Sequence, residues 1–234
     1  MNVYSCNGFE YTQAYNNSGE SQMGVYDVKG SLIASAQTFS ILGDSYSTFE
    51  GYVENTWYPS DNNDVVSVKQ TWWYLFSKET GMEMKSNESY SGSPICYNGY
   101  GSGSADASNT AFISRMTKLE NADYIFVFGA TNDSSVGVEL GEYQYSDWTE
   151  TDKEKFRPAM AFMLDYMKKT YPTSKIVFIL NTGLNSNINT SVETICEYYG
   201  VELLKLTNIE KQKGHPSIAG MIAIKNQLRS FLDL

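Results

Sequence analysis

The stretch Tyr124-Ile125-Phe126-Val127-Phe128-Gly129-Ala130-Thr131-Asn132-Asp133 decides the fold. Its first five residues are apolar or aromatic without interruption. An unbroken run of this kind, rather than an alternating one, is what a strand covered on both faces requires. A glycine then ends the run and polar residues follow. Working outward, further strands are expected at Thr38–Leu42, Met82–Lys85, Lys175–Leu180 and Val201–Leu206. Helices are expected at Ser67–Thr80, Ala107–Leu119, Glu150–Thr170, Asn189–Tyr199 and Pro216–Leu232. Strands separated by helices of this length imply a parallel sheet with helices on both faces. Ligands of such folds bind beyond the carboxyl ends of the strands. Ser45, after Ile41-Leu42-Gly43-Asp44, and Asn132 both fall there.

The chain has 234 residues, of which 41% are hydrophobic, so one α/β domain of ordinary size can build a core. Its net charge of −10 supplies no basic stripe for phosphates, which excludes a nucleic-acid surface. No apolar run reaches the length of a membrane span, so no membrane insertion is expected. Cys6, Cys96 and Cys196 are widely spaced and form no Cys-x-x-Cys pair, which speaks against a metal site or a redox pair and for buried free thiols over a Cys96–Cys196 bridge. Met1-Asn2-Val3-Tyr4-Ser5 lacks the basic and apolar regions of a signal peptide. Abundant Tyr, Asn and Ser with few Lys and Arg lean toward a periplasmic or secreted protein whose signal peptide is absent from this chain. Residues 1–36 are polar and read as a short β-rich or partly disordered appendage. Met23–Val28 and Ser31–Ala34, joined by Lys29-Gly30, form a candidate hairpin. Residues 37–234 form the main domain.

Four short segments carry the chemistry. Gly43-Asp44-Ser45 ends a strand with a sharp turn, leaving the serine hydroxyl free to attack an acyl carbon and its N–H free to stabilise an oxyanion. Gly92, in Asn87-Glu88-Ser89-Tyr90-Ser91-Gly92, lets a backbone N–H approach a ligand closely. Asn132 offers a side-chain amide as a third donor. His215, in Gly214-His215-Pro216-Ser217, is the sole histidine and hence the sole imidazole base. A proline after it suits the first position of a helix, whose positive end disfavours imidazolium. Each segment alone also reads as an ordinary turn, cap or loop residue; their order at successive strand ends is what carries weight.

With these four residues and the flanking Gly-Asp-Ser, Gly-Ala-Thr-Asn-Asp and His-Pro, the sequence resembles the SGNH hydrolase family, the GDSL-type esterases and lipases, over residues 38–232. The resemblance implies a three-layer α/β/α sandwich with a five-stranded parallel sheet, flavodoxin-like in order. It also implies ester hydrolysis through an acyl-enzyme, with Ser45, Gly92, Asn132 and His215 as catalytic residues and no cofactor or metal. One position departs from the family, which usually has an aspartate three residues before the histidine; here it is Gln212. Glu210 by another loop path, Gln212 itself, or a backbone carbonyl remain as the group that holds the imidazole.

Three long loops, Gly51–Val66, Gly92–Ser104 and Ser134–Trp148, are rich in aromatics: Tyr52, Trp57, Tyr58, Tyr97, Tyr100, Tyr143, Tyr145 and Trp148. Such rings either stack on sugars or pin the loops to the body. Polar aromatic loops suit a small-molecule or glycan ester better than a long-chain lipid. Acyl transfer on the same scaffold, and a catalytically silent glycan-binding module, are the rival readings. Trp72-Trp73, inside an expected helix, reads as core.

Overall fold

The computed structural model describes residues 36–53, 62–99 and 106–234 in full, together with the backbone of strands within residues 3–35. Its centre is a five-stranded sheet. In chain order the strands are β1 (Thr38–Gly43), β2 (Glu83–Ser89), β3 (Tyr124–Gly129), β4 (Lys175–Leu180) and β5 (Glu202–Lys205). They lie in the order β5-β4-β3-β1-β2, every neighbouring pair parallel. The connection reverses direction between β1 and β3, which opens a crevice at the carboxyl ends of those two strands.

The apolar run at β3 does what its composition demands. Ile125 and Val127 face one layer, with Phe112, Phe156, Met160, Leu164, Val192 and Ile195. Phe126 and Phe128 face the other, with Trp72, Phe76, Met221, Ile224 and Leu228. Alternate side chains of one strand thus serve two cores. Each fully buried large apolar side chain contributes about 1.5–3 kcal/mol, so neither face tolerates a polar residue.

The helices are α1 (Trp72–Thr80), α2 (Phe112–Arg115), α3 (Thr131–Val136), α4 (Phe156–Thr170), α5 (Ser186–Tyr199) and α6 (Ile218–Phe231). Helices α1 and α6 cover one face of the sheet and α2, α4 and α5 the other, giving an α/β/α sandwich. Their ends follow local chemistry. The Thr71 hydroxyl caps α1 by accepting from the Tyr74 N–H, and Gly81, at φ +75°, ends it. The Asn185 side chain caps α5, which Gly200 ends in the same left-handed conformation.

Two helices begin later than the sequence expectation, α1 at Trp72 rather than Ser67 and α4 at Phe156 rather than Glu150, and four further differences bear on the site. Strand β2 runs on to Ser89, four residues beyond the expected Lys85, and so carries Asn87 toward the site. The helix expected over Ala107–Leu119 is cut to Phe112–Arg115 and a following 3-10 turn, Met116–Lys118. The Phe112 and Ile113 N–H groups bond to the Pro94 and Ile95 carbonyls, which fixes where that helix begins. Helix α3 occupies residues expected to be turn and loop. Proline 216 was expected to open the last helix; instead α6 begins at Ile218, capped by the Ser217 hydroxyl, which accepts from the Gly220 N–H.

In the N-terminal region, strands Val3–Cys6, Phe9–Thr12, Gly24–Tyr26 and Leu32–Ser35 form an antiparallel sheet. The last two are the arms of the hairpin expected there, and the Lys29-Gly30 joint lies outside the described residues. Cys96 and Cys196 are buried free thiols. Trp72 and Trp73 are buried in the core.

Candidate active site

Strand β1 delivers the serine. It ends at Gly43, where a Cβ would come within 2.5 Å of Ser89 Oγ and 2.8 Å of Ser47 Cβ, so only glycine fits between β1 and β2. The Asp44 carboxylate turns inward, accepts the Tyr46 N–H at 3.0 Å, and is wholly buried. Burial pushes its pKa up to about 6, against the opposing pull of its hydrogen bonds and of Arg115. The Asp44 carbonyl accepts the Ser47 N–H at 3.0 Å, and the Thr48 hydroxyl bonds the Ser45 carbonyl at 3.2 Å. Ser45 is thereby held on a closed turn, with its Oγ 3.0 Å from His215 Nε2.

His215 arrives by a different device. Lys211–Gln212 and His215–Pro216 form a small antiparallel hairpin in which Gln212 lies opposite His215. The two residues between them, Lys213 and Gly214, have φ of +50° and +83°. Positive φ at both central positions is the type I′ pattern of tight hairpins. Lys213 bears a Cβ in the left-handed region, at a cost of about 1–2 kcal/mol. This turn brings the Lys213 carbonyl to 3.4 Å from His215 Nδ1.

Contacts from far along the chain fix the hairpin. Tyr46, next to the nucleophile, donates its hydroxyl to the Gly214 carbonyl at 2.6 Å, and its ring lies 5.7 Å from the imidazole. Burial pushes the Tyr46 phenol up to about 12, so it remains a donor. The Asn63 amide spans the hairpin, donating to the Pro216 carbonyl at 3.1 Å and the Gln212 carbonyl at 3.4 Å. The Gln212 side-chain oxygen accepts the Asp64 N–H at 2.9 Å, so Gln212 braces the hairpin from outside. The Asp64 carboxylate in turn accepts the Ile218 N–H at the start of α6.

Glu210 is not where a triad acid was expected. Its carboxylate accepts the Ser217 hydroxyl at 2.6 Å, and its carbonyl accepts the Ser217 N–H, so it serves the entry to α6. The chain path explains this: the hairpin turns between Glu210 and His215, which sends the ring toward Ser45 and leaves Glu210 beside Ser217. The expected helix-end effect on His215 is likewise replaced. Its pKa is held below the ordinary value, first by burial and then by the Lys211 ammonium, while the Lys213 carbonyl acts in the opposite sense.

The remaining expected residues follow the ends of β2 and β3. Gly92 has φ +78°, a conformation that favours glycine. The Asn132 amide donates to the Ser93 carbonyl at 3.0 Å, which ties the third segment to the second. Asn132 sits in the first turn of α3; the left-handed residue is Ala130, at φ +69° and buried. The Asp133 carboxylate accepts the Ile95 N–H, and burial pushes its pKa up to about 7. The Thr48 and Ser91 hydroxyls, 3.1 Å apart, join the nucleophile turn to the glycine loop. A serine hydroxyl against an imidazole held toward its neutral form is equipped for acyl transfer.

Sequence reasoning missed Tyr46, Asn63 and Asp64. All three act through contacts with a hairpin well over a hundred residues away, and no local motif marks them. Among the loop aromatics, Tyr97, Tyr145 and Trp148 pack against the core, and Tyr145 stacks on Tyr198 at 3.7 Å. Tyr52 and Tyr143 are exposed, Tyr143 beneath the Arg157 guanidinium. Trp57, Tyr58 and Tyr100 lie outside the described residues.

A family model described as GDSL-like lipase/acylhydrolase matches residues 37–232. Among solved structures, one described as a GDSL-like lipase from Bacteroides ovatus is 48% identical, with a TM-score of 0.82 over 85% of this chain and 99% of that one. Another, from Bacteroides uniformis, is 43% identical with a TM-score of 0.82, covering 85% of this chain and 96% of that one. A family two carbohydrate esterase from Clostridium thermocellum, solved with cellohexaose, shares the fold at 16% identity and a TM-score of 0.58, covering 91% and 70%. No curated protein matched the chain.

Proposed function

From the premise that the chain belongs to the GDSL-like lipase/acylhydrolase family and is a carboxylic ester hydrolase, we propose that it removes a short acyl group from a carbohydrate through an acyl-enzyme on Ser45. The observation that carries this reading is the 3.0 Å contact between Ser45 Oγ and His215 Nε2. His215 takes the serine proton as Oγ attacks the acyl carbonyl. The charge that develops on the carbonyl oxygen is met by the N–H groups of Ser45 and Gly92 and by the Asn132 amide. Removing one such donor typically costs about 10²–10³ in rate. His215 then gives that proton to the sugar oxygen as its bond to the acyl carbon breaks, and a water molecule repeats the sequence on the acyl-enzyme.

The Lys213 carbonyl, 3.4 Å from Nδ1, is our choice for the group that keeps Nδ1 protonated and Nε2 free to accept. A carbonyl orients the ring without adding negative charge, so imidazolium gains less stabilisation than it would from a carboxylate. The carbohydrate assignment is supported by the polar, aromatic character of the loops, by exposed Tyr52, and by the substrate class of carbohydrate esterases with the same fold. We extend the proposal to an extracytoplasmic site of action, on the chain's low Lys and Arg content.

The test is hydrolysis of p-nitrophenyl acetate, butyrate and octanoate, and of an acetylated xylo-oligosaccharide, by the wild type and Ser45→Ala. The expected result is a loss of about 10⁴-fold or more in the variant, with acetate favoured over octanoate. Retained activity in Ser45→Ala would end the serine mechanism; faster turnover of octanoate would end the short-acyl assignment.

A further inference from the structure

Arg115 is buried, 4% exposed, at the end of α2. Its guanidinium donates in four directions. Nη2 bonds the Gly43 carbonyl at 3.1 Å and the Ser93 hydroxyl at 2.7 Å; Nη1 bonds the Glu88 carbonyl; Nε bonds the Thr110 carbonyl at 2.7 Å. Gly43 immediately precedes Asp44-Ser45. Glu88 lies near the end of β2, leading into Gly92, and Ser93 follows Gly92. The Ser93 carbonyl is also the acceptor of the Asn132 amide. One side chain therefore joins the chain segments bearing Ser45, Gly92 and Asn132.

The same short helix reaches the third of these segments directly as well. Phe112, one turn before Arg115, packs under Gly129 so closely that a Cβ there would lie 2.6 Å from the ring. The guanidinium stacks over the Phe112 ring at 4.9 Å. Gly129 leads through left-handed Ala130 to Asn132. Phe112 and Arg115 thus support the ends of β1, β2 and β3 from beneath. A buried guanidinium is costly unless its donors are satisfied, and here two of its four partners are main-chain carbonyls at the ends of β1 and β2. A planar fork meets several carbonyls in fixed directions, which a lysine ammonium on a flexible stem cannot reproduce.

We infer that Arg115 is the positioning residue of the oxyanion side of the site, holding the Ser45, Gly92 and Asn132 segments in the one arrangement in which their donors converge. This rests on the reading of those three residues as oxyanion donors. Arg115 touches no reacting atom; it acts through Gly43, Glu88 and Ser93. A donor set misplaced by about 1 Å loses about 10²-fold in rate, while substrate contacts elsewhere are untouched.

The experiment compares wild type, Arg115→Lys and Arg115→Met on p-nitrophenyl acetate. Each preparation is normalised to the number of serines titrated by a phosphonate inhibitor. An alkyl boronic acid serves as a tetrahedral probe whose affinity reports oxyanion binding. The expected result is a fall in kcat of about 10²-fold for Arg115→Met with KM changed by less than about three-fold. Boronate affinity should fall in proportion to kcat. Arg115→Lys, which keeps the charge, should fall between the two, and it carries the test if the methionine variant does not fold. A kcat per titrated serine within about three-fold of wild type in both variants, or a kcat loss without loss of boronate affinity, would overturn the inference. The Ser45→Ala test stands apart: if that variant keeps activity, the site reading fails whatever Arg115 does.

Discussion

The two halves of the catalytic pair are held in opposite ways. Ser45 sits at the end of a central strand, on a turn whose hydrogen bonds come from Asp44, Tyr46, Ser47 and Thr48 within a few residues of it. His215 sits on a two-strand hairpin outside the main sheet, braced by Tyr46, Asn63 and Asp64 from far along the chain. The serine side is fixed by packing between strands, the histidine side by a few directed hydrogen bonds. Breaking the first should cost stability and activity together. Loosening the second should cost activity first, because a hairpin can shift while the sheet stays intact.

The largest effect is expected on the serine side. Gly43→Ala places a methyl group 2.5 Å from Ser89 Oγ and 2.8 Å from Ser47 Cβ, both on short side chains with little room to withdraw. Stability should fall by about 1–3 kcal/mol, as overpacking does. Activity should fall by about 10²-fold or more as the turn is displaced. Thermal unfolding and kcat measured on one preparation check both numbers. An alanine variant with wild-type melting and turnover would show that β1 and β2 can part there without consequence.

A smaller and differently shaped effect is expected from the histidine side. Asn63→Leu removes the amide that spans Gln212 and Pro216 and leaves their carbonyls without that donor. The stability cost is about 0.5–1.5 kcal/mol, the net contribution of a typical hydrogen bond, because the hairpin lies outside the main sheet. Turnover should fall by about 10-fold with KM little changed, since the imidazole drifts while the binding surface stays. A rise in KM with constant kcat would instead place Asn63 in substrate binding.

This contrast also explains what could be read from the chain alone. The sheet was legible because β3 and β4 are apolar on both faces, and a strand serving two cores has no other way to be written. Ser45, Gly92 and Asn132 were legible because each follows a strand end, where topology fixes position. Strand β2 was legible only in part: Asn87, Glu88 and Ser89 carry no apolar signal, and it is the pairing with β1 that extends the strand to Ser89. The histidine's support was not legible. The position of Gln212 suggested a ring-orienting role, yet its side chain points to the Asp64 N–H. Arg115 gave no signal at all, because its meaning lies in three carbonyls and a hydroxyl that only folding brings together.

The pH dependence sharpens the comparison further. His215 is the chain's single histidine, so its ring proton can be followed alone by NMR. Burial and the Lys211 ammonium hold its pKa below 6.5. Activity needs the neutral ring, so activity should be full above that lowered pKa and fall as the pH drops through it. Lys211 donates to the Thr182 carbonyl. Lys211→Met removes the cation, should raise the imidazole midpoint, and should move the acid limb of kcat/KM to higher pH. Asp44 and Asp133, with pKa values near 6 and 7, titrate in the same range on the serine side. The NMR midpoint therefore decides which part of the limb belongs to His215. A wild-type midpoint at or above 6.5 would contradict the burial argument.

The smallest expected effect is the most discriminating. In a triad, neutralising the acid costs as much as about 10⁴-fold in turnover. Here the Glu210 carboxylate accepts from Ser217, and the Lys213 carbonyl stands at Nδ1. Glu210→Gln retains an oxygen that can accept the Ser217 hydroxyl, so the entry to α6 keeps its bond and the fold its stability within about 0.5 kcal/mol. If the carbonyl orients His215, kcat should change by less than about three-fold and the acid limb should not move. A loss of 10²-fold or more would mean that Glu210 reaches the imidazole during catalysis, and that the hairpin moves further than its two left-handed residues suggest. In that event the histidine side would be a mobile arm, and its contrast with the serine side would be one of motion rather than of the bonds that hold it.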